Sequence, residues 1–206
     1  SVDGVLLESH SAPNWAQIWE LRQAIARFRK MGKRVYAFLR NGDMKSLYLA
    51  SAANRILLHP SGGLMIMGLS VTRLYFADLL KMVGVKAEFE KWAQFKSAPE
   101  RLTRTGPSGP ATLQAKEILT TYQAEWYKAV SAGTGRPLKA LRADLKAGPL
   151  TMKTAREKGL VSALVYPDAI KRYIQKDLGH KVTIVRRYLP NRSAWARWGG
   201  VRRVAI

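Results

Sequence analysis

The sequence predicts an α/β fold. Short apolar runs of strand length alternate with longer stretches whose apolar residues recur every three or four positions. Glycine- or proline-bearing turns separate many of them. The first strand–helix–strand series closes by Leu39, a span that fits one βαβ unit and so a parallel strand pair.

The elements follow in order. Residues 2–8 (VDGVLLE) are apolar and run into a Ser/Pro/Asn turn, which reads as a buried strand. Trp15, Ile18, Leu21, Ile25 and Phe28 then form one helical face, with Arg22, Arg27, Arg29 and Lys30 solvating the rest. Gly32 ends that helix as a left-handed cap. A second strand covers RVYAFL at 34–39, a short Ala/Leu-rich helix 45–53, and a third strand RILL at 55–58. Residues 64–67 read as another strand, and Phe76, Leu79, Leu80 and Val83 as a helix stopping at Gly84. A further strand is expected at 86–90.

Residues 91–109 hold Pro99, Gly106, Pro107 and Gly109, too irregular for one element and long enough for a working loop. The longest helix is placed at 113–130, with Leu119, Tyr122, Trp126 and Val130 on one face. Two shorter helices follow at 137–146 and 151–158, opened by Pro and Thr respectively. Asp168 is expected to cap a helix reaching Leu178, and 182–185 reads as a last strand. Residues 1–185 are thus expected to be one α/β domain. Residues 186–206 read as a basic linker: 186–203 carry six arginines and no acid, with Pro190 and Gly199-Gly200.

The 206 residues include 35 Lys and Arg against 14 Asp and Glu, a net charge of +21. Hydrophobic residues at 47% are enough for a packed core and exclude a wholly disordered chain. Zero cysteine removes disulfide and thiolate chemistry. No apolar run reaches the ~18 residues of a membrane span. His10, His59 and His180 show no ligand spacing, so no metal is implied. No G-x-S-x-G elbow, P-loop or dinucleotide fingerprint occurs, so no cofactor is implied either. The basic surplus fits a solvated surface, an anionic membrane surface or nucleic acid, but no nucleic-acid motif accompanies it. What remains is Lys96, flanked by Trp92, Ala93, Phe95, Ala98 and Pro99. A lysine acts as general base only when burial or neighbouring positive charge lowers its pKa, and apolar neighbours are one route to that.

Four separated segments then carry a family resemblance. Residues 15–34, LYLASAANRILLHP at 47–60, FKSAPERLTR from Phe95, and TMKTAREKGLVSALVYPD at 151–168 resemble, in sequence order, the amino-terminal half of the signal peptide peptidase (protease IV) family. The resemblance implies a crotonase/Clp-like spiral of βαβ units with a helical extension. It also implies a membrane-associated Ser–Lys peptidase that degrades cleaved signal peptides. In the long form of that family the Lys base lies in the first half and the Ser nucleophile in the second. Lys96 aligns with the base; Ala93 stands where Gly is usual, Gln94-Phe95 replaces x-Tyr, and Pro99-Glu100 differs from the commoner x-E-P.

Short-form members carry the nucleophile where this chain has Met44. Ser46 lies two positions late and Ser51 inside the following helix, so both read as structural. A thioether cannot attack a carbonyl as a hydroxyl can. Residues 202–206 resemble the opening strand of the second half, so the chain is expected to be a base-bearing fragment, inactive alone. Its expected partners are the half supplying the Ser, further copies of itself, apolar signal peptides and an anionic membrane surface. The expected place is the extracytoplasmic side of a bacterial inner membrane. Two rivals stand beside this: a non-catalytic oligomerising scaffold of the same fold, and a basic nucleic-acid binder. A Ser in a Gly-rich context after Ile206 would favour the enzyme.

Overall fold

Four of the short apolar runs line up as a parallel sheet in the computed structural model, which describes residues 2–9 and 14–185. They are β1 (Gly4–Ser9), β2 (Arg34–Leu39), β4 (Arg55–Leu58) and β7 (Ala163–Leu164), in the order β1-β2-β4-β7. Leu6 pairs with Tyr36, Ala37 with Ile56, and Leu57 with Ala163. Five successive residues of β2, from Val35 to Leu39, are buried, as a central parallel strand covered on both faces requires. A smaller sheet joins β3 (Gly42–Asp43) parallel to β5 (Gly63–Met65), and β5 antiparallel to β6 (Leu150–Thr151). The two-residue strands β3, β6 and β7 carry no readable alternation, and sequence periodicity did not find them.

Helix α1 (Trp15–Lys30) starts on a reciprocal cap: Asn14 Oδ1 accepts from the Gln17 amide at 2.9 Å, and Gln17 Oε1 from the Asn14 amide at 3.2 Å. It ends, as expected, before Gly32, whose φ of 75° is the left-handed region. Ile18 and Ile25 are buried, with Trp15 and Phe28 packed at the margin of the core. Leu21, however, is exposed, and Arg22 turns inward instead. The Arg22 guanidinium lies 4.2 Å from the Tyr48 ring centroid. Its Nη1 donates to the Tyr48 carbonyl and, at 2.7 Å, to Ser51 Oγ. An arginine satisfied by a ring face, a carbonyl and a hydroxyl near a helix C-terminus can take a half-buried place.

Every residue of helix α2 (Met44–Ala50) except Lys45 is buried. The helix α3 (Ala77–Met82) buries nothing, and the one-turn α4 (Glu100–Thr103) buries Glu100. The long helix is α5 (Gly109–Thr134), starting four residues earlier than expected because Ser108 caps it and Pro110 fits its first turn. Near its end Gly133 passes α2 so closely that a Cβ would meet the Ser51 carbonyl oxygen at 1.9 Å; only glycine fits. Helices α6 (Leu138–Ala147) and α7 (Met152–Glu157) complete this unit, which runs to Val165.

A second unit starts at Tyr166. It holds a 3-10 turn (Pro167–Ala169) and the amphipathic α8 (Ile170–Leu178), which buries Ile170 and Ile174. Asp168 makes no cap; it sits inside the turn that Pro167 opens. Neither 86–90 nor 182–185 is a strand: both are irregular and largely exposed, with no partner strand among the described residues to complete a ladder. His10 and residues 186–206, with the expected basic linker, lie outside the described residues.

Candidate active site

Lys96 sits in a turn between α3 and α4. Its amide donates to the Ala93 carbonyl at 3.1 Å, and the Ser97 amide to Phe95 at 3.0 Å. The lysine is exposed, and its apolar neighbours are uncovered too, Trp92 being 92% exposed. The desolvation those neighbours were expected to give therefore needs a surface that the described residues do not provide.

The turn is nevertheless anchored. Four residues on, Glu100 is 3% exposed; its Oε1 accepts from Ser108 Oγ at 2.7 Å and its Oε2 from the Ser108 amide at 3.0 Å. Lys91 Nζ approaches the same carboxylate at 3.6 Å. The Ser108 hydroxyl, then its amide, hold the Glu100 pKa below the usual carboxylate value against the opposing effect of burial. Ser108 is the N-cap of α5, so one carboxylate ties the lysine's loop to the longest helix. On the other side the Phe76 amide donates to the Arg101 carbonyl at 2.7 Å.

Met44 is the first residue of α2, directly after β3. A side chain at a strand-to-helix turn is well placed for chemistry, but this one is a buried thioether, 6% exposed. Its carbonyl accepts from Trp126 Nε1 at 2.7 Å. Ser46 is a capping residue: Asp43 Oδ1 accepts from its amide and its hydroxyl, both at 2.7 Å, and Ser46 Oγ accepts from the Asp43 amide at 2.7 Å. Ser51 Oγ donates to the Tyr48 carbonyl at 2.8 Å. Both serines are thus occupied structurally, as the sequence implied. Periodicity did not single out Glu100 and Ser108 as a pair, although Ser108 followed by Pro110 is a helix-start signal. Among the described residues no group of His, Asp and Glu could hold a metal ion.

The family model of peptidase family S49 matches residues 27–181, well over half of the chain. The chain belongs to peptidase family S49. Among S49 relatives it is 24% identical over 165 residues to the chloroplastic serine protease SPPA of Arabidopsis thaliana, covering 80% of this chain and 24% of the relative. It is 28% identical over 169 residues to Protease 4 of Salmonella typhi, covering 78% of this chain and 27% of the relative. This S49 chain therefore spans about a quarter of the length of these relatives. A solved membrane-bound stomatin-specific protease superposes with a TM-score of 0.52 at 12% identity, over 82% of this chain and 68% of that one. The S49 assignment and the parallel main sheet bear out the expected α/β, crotonase/Clp-like fold. Among the described residues no helix is long and apolar enough to cross a membrane.

Proposed function

We propose that this chain is the base-bearing half of a membrane-associated Ser–Lys peptidase that degrades cleaved signal peptides, with the Ser nucleophile supplied by another half or another copy. The observation that carries the reading is a division of labour. A lysine in the family's base setting is presented on an anchored, exposed turn, while the nucleophile's position holds the buried Met44.

The chemistry follows from that division. Covered by the other half, Lys96 Nζ loses its solvation and is held neutral. It accepts the proton of the Ser hydroxyl as the oxygen attacks the scissile carbonyl. The lysinium then returns the proton to the leaving amine, and the peptide C–N bond breaks to leave an acyl-enzyme. Neutral Lys96 next takes a proton from water, whose oxygen attacks the ester; the acyl C–O bond to the Ser breaks, and the lysinium returns the proton to the Ser oxygen. Substrates are apolar peptides lying extended as an added strand.

Several large apolar side chains between Met65 and Phe95 are exposed, among them Met67, Leu74, Met82, Phe89 and Trp92. That surface supports association with further copies and with the catalytic half. The charge of +21 supports a place against an anionic membrane, on the extracytoplasmic side of a bacterial inner membrane. A scaffold role remains the second reading, favoured by Met44 alone. Reconstitution separates the two: this chain and its Ser-bearing half are expected to be inactive apart and to cleave an apolar quenched peptide together. A Ser-bearing half that is equally active alone would leave the scaffold reading.

A further inference from the structure

A cleft of about 600 Å3 lies away from Lys96, between α5, α6 and the segment just after β5. Gln123 and Tyr127 of α5 line it, with Arg142 and Lys146 of α6 and with Met67 and Gly68. The size suits a small ligand or a peptide terminus. No acidic side chain lines it. Arg142 and Lys146 stand one helical turn apart, so both charges face the same space. Asp144 lies between them in sequence, but its carboxylate is committed to Arg136 and Lys158 on the buried side. Arg142 lies 5.6 Å from the Tyr127 ring centroid, and among the described residues neither cation is in an ion pair.

The third wall adds a second feature. Beyond β5 the chain runs past Gly68 without helix or strand. Among the described residues, 67–73 make no backbone–backbone hydrogen bond. An extended peptide can pair with such a backbone, and its end would then meet two unpaired cations.

We propose that this cleft takes the free C-terminal carboxylate of a bound peptide, with Arg142 and Lys146 as its counter-ions. The assignment rests on the peptidase reading and sharpens it. A peptide already released by an earlier cleavage ends in a new carboxylate, whereas the same segment within an intact chain does not. The cleft therefore selects cleaved peptides over uncleaved ones. A cleft edged by two cations, beside unpaired backbone, fits a chain terminus better than the flat face of a bilayer.

The test uses the complete protein and two fluorescein-labelled apolar decapeptides, identical except for a free acid or an amide at the C-terminus. Fluorescence anisotropy is expected to show the acid bound about tenfold tighter. Arg142→Gln with Lys146→Gln, both on the exposed side of α6, should bring the acid to the amide's affinity and leave the amide unchanged. Unaltered thermal melting confirms that the variant is folded. Equal affinity for acid and amide would overturn the assignment, as would a double variant that weakens both alike. So would phosphatidylglycerol vesicles that bind through these two residues while the peptides are not discriminated. Hydrolysis is read separately. A preserved acid preference in a protein that cleaves nothing overturns the peptidase reading alone; cleavage with no acid preference overturns the carboxylate site alone.

Discussion

Trp126 donates its indole Nε1–H to the main-chain carbonyl of Met44 at 2.7 Å, from a side chain with no solvent exposure. The bond fixes the start of α2, where β3 hands over to the helix, against the middle of α5. The N-cap of the same helix, Ser108, holds Glu100 and with it the turn of Lys96. At 1.5 Å per residue these anchor points stand about 27 Å apart along α5. One helix thus holds both the turn of Lys96 and the start of α2 at Met44.

Trp126→Phe should keep most of the apolar burial and lose that bond. A destabilisation of about 1–2 kcal/mol is expected in urea unfolding. A variant as stable as the parent would mean that the bond does not hold α2.

This chain alone should not cleave peptides, because its two candidate hydroxyls near the nucleophile's place are used as a cap and a carbonyl ligand. Ser46→Ala, which removes the reciprocal half of the Asp43 capping box, should cost about 1 kcal/mol of stability. Turnover of an apolar peptide ester by the isolated chain, abolished by Ser46→Ala or Ser51→Ala, would contradict this.

Acid should weaken the fold through Asp144. Burial raises this carboxyl's pKa, but hydrogen bonds from Arg136 and Lys158, with their charges, outweigh it and leave the value lowered. A carboxylate lowered on folding contributes stability that is present above the unfolded value, about 3.9, and is lost as pH falls through the folded one. Asp144→Ala should cost about 3 kcal/mol at neutral pH, because two cations lose their partner. It should also flatten the stability profile below about pH 4. Urea midpoints measured from pH 7 to pH 3 check both; a profile as steep as the parent's would exclude Asp144 as the source.

Self-association should follow from the uncovered surface around Trp92. Sedimentation of the complete protein at micromolar concentration is expected to show oligomers, and Trp92→Glu to shift them toward monomer. Only monomer in the parent would contradict the prediction.

Much of the frame was legible in the sequence, for reasons tied to particular residues. Ile18 and Ile25 marked the buried face of α1, and the apolar run up to Leu39 marked the second strand. Leu21 misled because hydrophobicity alone ranks it above Arg22, whereas Tyr48 and Ser51 offer the guanidinium partners that only tertiary structure brings near. Residues 86–90 misled because Val85, Ala87 and Phe89 alternate like a strand but meet no partner strand among the described residues. Lys96 was singled out by its likeness to the expected base setting of the signal peptide peptidase family, not by periodicity. Its tether could not be read, since Glu100 and Ser108 meet only once the loop between them is folded.

The most direct test of the account is kcat/KM for an apolar quenched peptide in the complete protein carrying Lys96→Ala. A loss of about a thousandfold or more is expected, within the range that a positioned base contributes. Lys96→Arg should not rescue it, since a guanidinium stays protonated and cannot take the Ser proton. Lys86→Ala, which removes only a surface ion pair with Glu88, should leave turnover unchanged. Near-normal cleavage by Lys96→Ala would contradict the assignment of this lysine as the base.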